Sequence, residues 1–240
     1  MLFVLFFGVS LYYHSISDFF IYRLVRGIIC FTFLGVILAY HRKKTESSLL
    51  LFLILYGISS FATMWYENNT LATLALALNF LSFVILIVVL LPKVDLKKMN
   101  AFLLFIFIIT VIINGYLAYQ LVQLIDDQIL SRPNYLFILL SAMSTVIVAF
   151  MSLLYNHIFN TKATLVFTVF IFIMLFADVF RAVGYYDIAY GNFSVYIARG
   201  LLLLGLSILV HYTFMSKNKK ERLNTPFLKS TKETSKDIKN

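Results

Sequence analysis

The chain alternates between long apolar stretches and short polar connections from its first residue to about Met215. Most stretches hold about 20 residues, the length that a helix needs to cross a hydrocarbon core of ~30 Å. They are apolar throughout, whereas the strands of a membrane barrel alternate apolar and polar residues. The pattern therefore predicts an all-α fold, a polytopic transmembrane helix bundle of about eight spans. The expected spans are 1–14, 19–40, 47–66, 71–91, 101–125, 135–156, 164–184 and 194–215.

The first stretch is shorter than the others and could either span the membrane or lie at its interface. The remaining seven spans do not depend on that choice. The turns around 67–70 and 185–193 are alike, since each is short, aromatic and acidic and joins two apolar helices. They are four spans apart, so one interpretation is a 4+4 repeat of two parallel halves. The other interpretation is chance, because apolar segments resemble each other by default.

The composition is not that of an ordinary soluble domain. Of the 240 residues, 61% are hydrophobic and 13% are charged, whereas globular proteins have ~45–50% and ~25%. A soluble core could not cover so much apolar surface. Residues 1–215 are therefore predicted to form one transmembrane domain. Residues 216–240 form a basic tail without apolar periodicity, which we expect to be disordered.

The net charge of +9 is concentrated in this tail. A basic tail beside a predicted span favours contact with anionic lipid headgroups over nucleic acid, since each lysine near a charged leaflet contributes ~1 kcal/mol. Further basic residues lie at 42–44, 93–98 and Lys162, on the same predicted side. Because basic loops stay in the cytoplasm, the C-terminus is predicted to be cytoplasmic. The N-terminus joins it there if the first stretch crosses the cell membrane, making a multi-pass protein.

A few ionisable residues remain inside the predicted spans, chiefly Arg26, Asp178, Arg181 and Arg199. At ~1.5 Å per residue, all but Arg181 are placed at comparable depths, roughly 6–11 Å below the outer boundary. Arg181 is one turn from Asp178 on the same helical face. Charged groups in hydrocarbon are unfavourable and mark either function or mutual pairing. The two interpretations are a polar cavity that holds a headgroup or catalytic water, and an aspartate–arginine pair that clamps helices seven and eight together.

Other kinds of site find no support in the sequence. No two histidines are four positions apart, so the helical zinc motif is missing and no metal site is predicted. The single cysteine, Cys30, excludes an internal disulfide. Phosphate-binding glycine loops and nucleophile elbows are missing too, so no cofactor is predicted. A small transporter is disfavoured, because no span has a glycine- or proline-broken centre.

Three short segments carry a resemblance to a known family. They are 172–178, which reads Phe-Ile-Met-Leu-Phe-Ala-Asp, 196–199, which reads Tyr-Ile-Ala-Arg, and 25–27, which reads Val-Arg-Gly. With the eight-span layout, they resemble the YhhN-like family, which includes lysoplasmalogenases. The resemblance implies a membrane enzyme that hydrolyses the vinyl ether bond of lysoplasmalogens, giving an aldehyde and a glycerophospho-headgroup. The family has glutamine where this chain has Arg199.

The resemblance implies roles for five residues. Asp178 is the expected catalytic residue, while Arg26, Arg181, Tyr196 and Arg199 are expected to bind the substrate. The expected partners are membrane lipids, with a lysophospholipid as the substrate. Vinyl ether cleavage starts with protonation of the alkene carbon, and water then captures the oxocarbenium ion. One buried carboxylic acid could serve both steps.

The third predicted helix departs from the family pattern. The family usually has a glycine–aspartate pair there, whereas 56–61 reads Tyr-Gly-Ile-Ser-Ser-Phe. Arginines beside Asp178 also stabilise its charged form, which suits a headgroup site better than a general acid. The sequence thus leaves two functions open. One is a lysoplasmalogenase-like hydrolase or single-chain lipid binder, and the other is a non-catalytic structural or regulatory membrane protein with an Asp–Arg helix clamp.

Overall fold

The computed structural model describes residues 2–41, 46–94, 101–125, 131–186 and 191–219. Within these ranges the chain forms eight α-helices, and the short 3₁₀ turns Thr63–Trp65 and Leu91–Lys93 extend two of them. The helices are α1 (Leu2–Ser15), α2 (Phe19–His41), α3 (Ser47–Ala62), α4 (Asn69–Leu90), α5 (Ala101–Leu124), α6 (Arg132–Phe159), α7 (Lys162–Tyr185) and α8 (Gly191–Lys219).

The helices confirm the predicted all-α bundle. The seven from α2 to α8 are each long and apolar enough to cross a membrane, and α1 is a shorter apolar helix. The chain is therefore a multi-pass membrane protein. Helix α8 continues to Lys219, past the predicted domain boundary at 215. The predicted disordered tail beyond it, 220–240, lies outside the described residues.

Polar side chains at the connections end one helix and begin the next. The Asn68 side chain accepts hydrogen bonds from the backbone N–H groups of Thr70 and Leu71 at the start of α4. Thr161 and Thr164 bond reciprocally at the start of α7. Since the first N–H groups of a helix have no intrahelical acceptor, these side chains supply one. At these two connections, the polar residues that interrupt the apolar sequence therefore cap the helix that follows.

The order of helix packing repeats after four helices. The pairs α1–α2, α2–α3 and α3–α4 correspond to α5–α6, α6–α7 and α7–α8, and the pair α4–α6 corresponds to α8–α2. The additional contact of α1 with α8 has no such counterpart among the closely packed pairs. At the centre, the rings of Phe52 on α3 and Phe170 on α7 meet with centroids 6.0 Å apart. This arrangement favours a parallel duplication of four helices.

A cluster of fully buried aromatic rings surrounds Tyr56 on α3. Phe52 contacts the rings of Tyr56, Phe83 and Phe170 at centroid distances of 5.7–6.0 Å. Tyr56 also meets Phe83 edge-on. Close packing on several sides leaves the Tyr56 ring little freedom, so its hydroxyl is held in one place.

Gly27 allows α2 and α3 to approach closely. A Cβ atom at Gly27 would lie 2.7 Å from the Phe61 ring, well inside van der Waals contact. Phe61 is itself packed against Phe31, with ring centroids 5.3 Å apart. The neighbouring residue on α2 is Arg26, so this contact also sets the position of a site residue.

We expect Gly27→Ala to lower the melting temperature in detergent, because overpacking a tight contact costs about 1–3 kcal/mol. Gly35→Ala, on the same helix, is the matched control. No atom lies within 4 Å of a Cβ at Gly35, and alanine is the better helix former. Equal melting temperatures for the two variants would show that the α2–α3 contact is not as tight as described.

Candidate functional site

A cavity of about 540 Å³ lies between the helices and is lined by residues from all eight of them. Arg26, Asp178, Arg181 and Arg199 all contribute to its wall. Helix position alone predicted similar depths for Arg26, Asp178 and Arg199 and put Arg181 one turn from Asp178, and the structure brings all four to one cavity. The wall is otherwise mostly apolar, as is typical of pockets for amphiphilic ligands.

Asp178 is the centre of a linked group of polar side chains. Its Oδ1 atom lies 3.2 Å from Arg181 Nη2 and 3.7 Å from Arg26 Nη2. The hydroxyl of Tyr56 accepts a hydrogen bond of 2.8 Å from Arg26 Nη2 and donates one of 3.3 Å to Asp178 Oδ1. The side chains of Arg26 and Asp178 are only 9% and 14% exposed. The chain Arg26–Tyr56–Asp178 therefore ties α2, α3 and α7 together.

Arg199 does not form the predicted clamp with Asp178. Its Nη2 atom donates to the backbone carbonyl of Tyr22 at 3.0 Å, and its guanidinium lies 4.2 Å from the centroid of the Tyr22 ring. Arg199 thus joins α8 to α2, and the arginine that bridges from another helix to Asp178 is Arg26. Position along a helix gives depth but not the direction of a side chain, so the sequence favoured the helix next in order.

Arg199 is deeply buried and incompletely bonded. It is 2% exposed, and its Nε and Nη1 atoms have no hydrogen-bond partner. In the described part of the chain, no carboxylate pairs with it, whereas Arg26 and Arg181 share Asp178. A buried charge without a counter-ion is costly. The wall is therefore suited to receive an anion at Arg199.

Tyrosines and an exposed ion pair form the outer rim of the cavity. Arg23 donates to Glu67 Oε1 at 2.6 Å, and its guanidinium lies 5.5 Å from the centroid of the Tyr185 ring. Burial opposes ionisation of Glu67, but the hydrogen bond from Arg23, a backbone hydrogen bond and the charge of Arg23 together outweigh it and lower the pKa of the carboxyl. The hydroxyls of Tyr66 and Tyr186 lie 3.4 Å apart. Tyr66, Tyr185 and Tyr186 line the cavity.

Tyr196 lies behind the cavity wall. It is absent from the residues that line the cavity and packs edge-on against His14, with ring centroids 5.2 Å apart. His14 does line the cavity, and it also packs edge-on against Phe19 and Tyr22. The predicted substrate-binding role of Tyr196 would therefore be indirect. No sequence signal singled out His14, because it has no motif partner.

A second polar contact lies on the wall formed by α4 and α6. Asn79 Nδ2 donates to Ser141 Oγ at 2.8 Å, and both residues are buried. This hydrogen bond joins α4 to α6. It also lines the cavity, which no pattern along the chain could show.

Helix α3 carries two adjacent buried serines, Ser59 and Ser60, and no aspartate. Ser59 donates to the backbone carbonyl of Ala75, and Ser60 accepts from the Cys30 thiol. Asp178 is the one carboxylate among the described residues that line the cavity. The described residues also include no group of three metal-ligating side chains. The site is therefore one carboxylate among arginines and tyrosine.

Comparisons of the chain with protein-family models, with curated proteins and with solved structures found no match. The resemblance to the YhhN-like family therefore stays a prediction from the short segments that carry it. The fold and the cavity geometry are the grounds for any functional proposal.

We expect Asp178→Asn to lower the melting temperature, since removing one partner of a buried ion pair costs about 3–5 kcal/mol. Addition of Arg26→Gln should restore part of the loss, because it removes the Arg26 charge that the Asp178→Asn substitution leaves without a partner. Arg199→Gln should shift the melting temperature by the same amount in the Asp178→Asn protein as in the wild type, because Arg199 does not pair with Asp178. Thermal unfolding in detergent measures the single and double variants. A larger gain from Arg199→Gln in the Asp178→Asn protein than in the wild type would reinstate the clamp between α7 and α8.

Proposed function

We propose that this protein binds a single-chain phospholipid, with the lipid phosphate at Arg199 and the hydrocarbon chain along the apolar wall of the cavity. The observation that carries the proposal is the buried guanidinium of Arg199, which keeps two unpartnered nitrogen atoms. Phosphate oxygens accept charge-assisted hydrogen bonds from guanidinium groups, which are stronger than neutral ones. The low dielectric of the surroundings strengthens the attraction further.

The opposite wall offers apolar surface for the lipid chain. Leu117, Leu121 and Val122 of α5 line the cavity together with Ile138 and Val146 of α6. Helix α5 packs closely against α6 alone among the described helices. Only 6% of its span is buried, against at least 33% in every other span. A lipid chain can therefore reach the cavity from the bilayer beside α5.

Vinyl ether hydrolysis is the finer proposal, and the segments that resemble lysoplasmalogenases support it. Asp178 would protonate the alkene carbon, and water would add to the oxocarbenium carbon as its proton passes to the carboxylate. The hemiacetal would then break its carbon–oxygen bond, giving an aldehyde and the glycerophospho-alcohol. This step needs Asp178 as an acid, whereas two guanidiniums and the Tyr56 hydroxyl stabilise its carboxylate. Lipid binding is therefore the function that the geometry supports best.

A purely structural role accounts for less of the geometry. The Arg26–Tyr56–Asp178 chain would stabilise the bundle without any ligand. It leaves unexplained both the cavity and the unpartnered nitrogen atoms of Arg199. The lipid proposal explains these two features together.

We expect the purified protein to bind lysoplasmenyl-phosphoethanolamine, with binding and aldehyde release followed separately. Arg199→Gln should weaken binding by about 1–3 kcal/mol, because it removes a charged hydrogen-bond donor. Arg132→Gln, an exposed arginine at the start of α6, should leave binding unchanged. Aldehyde release that Asp178→Asn abolishes would establish the enzyme, while binding without aldehyde would establish a non-catalytic lipid binder. If the folded protein neither binds the lipid nor releases aldehyde, only the structural role remains.

The basic residues support a protein of the cell membrane whose C-terminus lies in the cytoplasm. Its basic tail would then lie against anionic lipid headgroups. We expect a reporter fused after Asn240 to be active only if it is one that works in the cytoplasm, because short basic loops are retained there. Paired fusions with a cytoplasmic and an exported reporter measure this. Activity of the exported reporter would reverse the proposed orientation.

A further inference from the structure

The part of the cavity wall formed by α4, α5 and α6 carries an incompletely bonded polar side chain that the proposed function does not use. Asn79 is 3% exposed, and its Oδ1 atom has no hydrogen-bond partner, although Nδ2 is bonded to Ser141. Two neighbours on this wall are already committed to backbone carbonyls. Thr145 donates to Ser141 O, and Asn114 donates to Thr110 O. Asn79 is the described residue on this wall whose side-chain oxygen is fully buried and has no hydrogen-bond partner.

The duplication relates this group to Arg199. The repeat of packing pairs makes α4 the counterpart of α8, and α6 the counterpart of α2. Asn79 precedes Arg199 by 120 positions, and Tyr22 precedes Ser141 by 119. The contacts Arg199–Tyr22 and Asn79–Ser141 thus occupy corresponding places, and both line the same cavity. Each half therefore has a polar contact at this position, made by a charged side chain in one half and by a neutral side chain in the other.

We propose that Asn79 is a second ligand-binding residue, which hydrogen-bonds a hydroxyl on the headgroup of the lipid whose phosphate lies at Arg199. This inference rests on the proposed lipid binding. A second charged group would meet no counter-ion at a neutral amide, whereas a hydroxyl can both donate and accept a hydrogen bond. It therefore satisfies either orientation of the amide. A single-chain glycerophospholipid has such a hydroxyl on its glycerol, next to the phosphate.

The unpaired side-chain oxygen of Asn79 predicts which lipids the cavity prefers. A ligand without the hydroxyl would leave the Asn79 oxygen buried and unbonded, and sites built for a hydroxyl discriminate strongly against analogues that lack it. The cavity should therefore prefer lipids with a free glycerol hydroxyl over otherwise identical lipids.

The test compares oleoyl lysophosphatidic acid with its propanediol analogue, which differs only by lacking the hydroxyl. We expect the wild-type protein in detergent to bind the hydroxyl-bearing lipid about tenfold more tightly. Asn79→Leu should bring the ratio close to one and leave affinity for the analogue within about twofold. Asn114→Leu is the matched control on the same wall. It should keep the preference because Asn114 is only half-buried and, unlike Asn79, has no fully buried side-chain oxygen without a partner.

The experiment distinguishes failure of the Asn79 proposal from failure of the proposed lipid binding. Equal binding of both lipids by the wild-type protein, or an unchanged preference in folded Asn79→Leu, would overturn the role of Asn79. The wild-type comparison decides even if the variant does not fold. Absence of binding of either lipid, or binding that Arg199→Gln leaves unchanged, would overturn the proposed function as well.

Discussion

The linkage Arg26–Tyr56–Asp178 is the interaction on which the rest of the site depends. Water is scarce inside a bilayer, so a carboxylate and a guanidinium placed there must find each other or remain unpaired at high cost. The three residues come from α2, α3 and α7, and the Tyr56 hydroxyl bridges the other two. Buried aromatic rings of α3, α4 and α7 fix the Tyr56 ring below it. The contact of Gly27 with Phe61 sets how closely α2 approaches.

With Asp178 committed to Arg26 and Arg181, Arg199 is the cation left over. Its contacts with Tyr22 position it but do not neutralise it. The same geometry therefore pairs the Asp178 carboxylate and leaves Arg199 without a counter-ion among the described residues, and the proposed anion site rests on that difference. A structural clamp and a ligand site are not competing interpretations of one residue, because they fall on different arginines.

The repeat of packing pairs explains why polar groups face one cavity from two sides. Each half supplies a contact between its fourth helix and the second helix of the other half, Asn79 with Ser141 and Arg199 with Tyr22. The halves differ at the periphery, since α1 packs against two helices and α5 against one. Helix α5 is accordingly the least buried of the seven long apolar helices.

The sequence by itself determined the helices, their approximate ends and the depth of the charged residues, because hydrocarbon thickness and helical rise act on each segment alone. It also identified Asp178, Arg181, Arg26 and Arg199 as the polar groups of interest. Only the tertiary structure decided which arginine pairs with Asp178, that Tyr196 lies behind the wall, and that Tyr56 and Asn79 belong to the cavity. Those outcomes depend on the rotation of each helix about its axis and on its choice of neighbour. In a chain whose spans are apolar on every face, no periodicity along the sequence specifies either one.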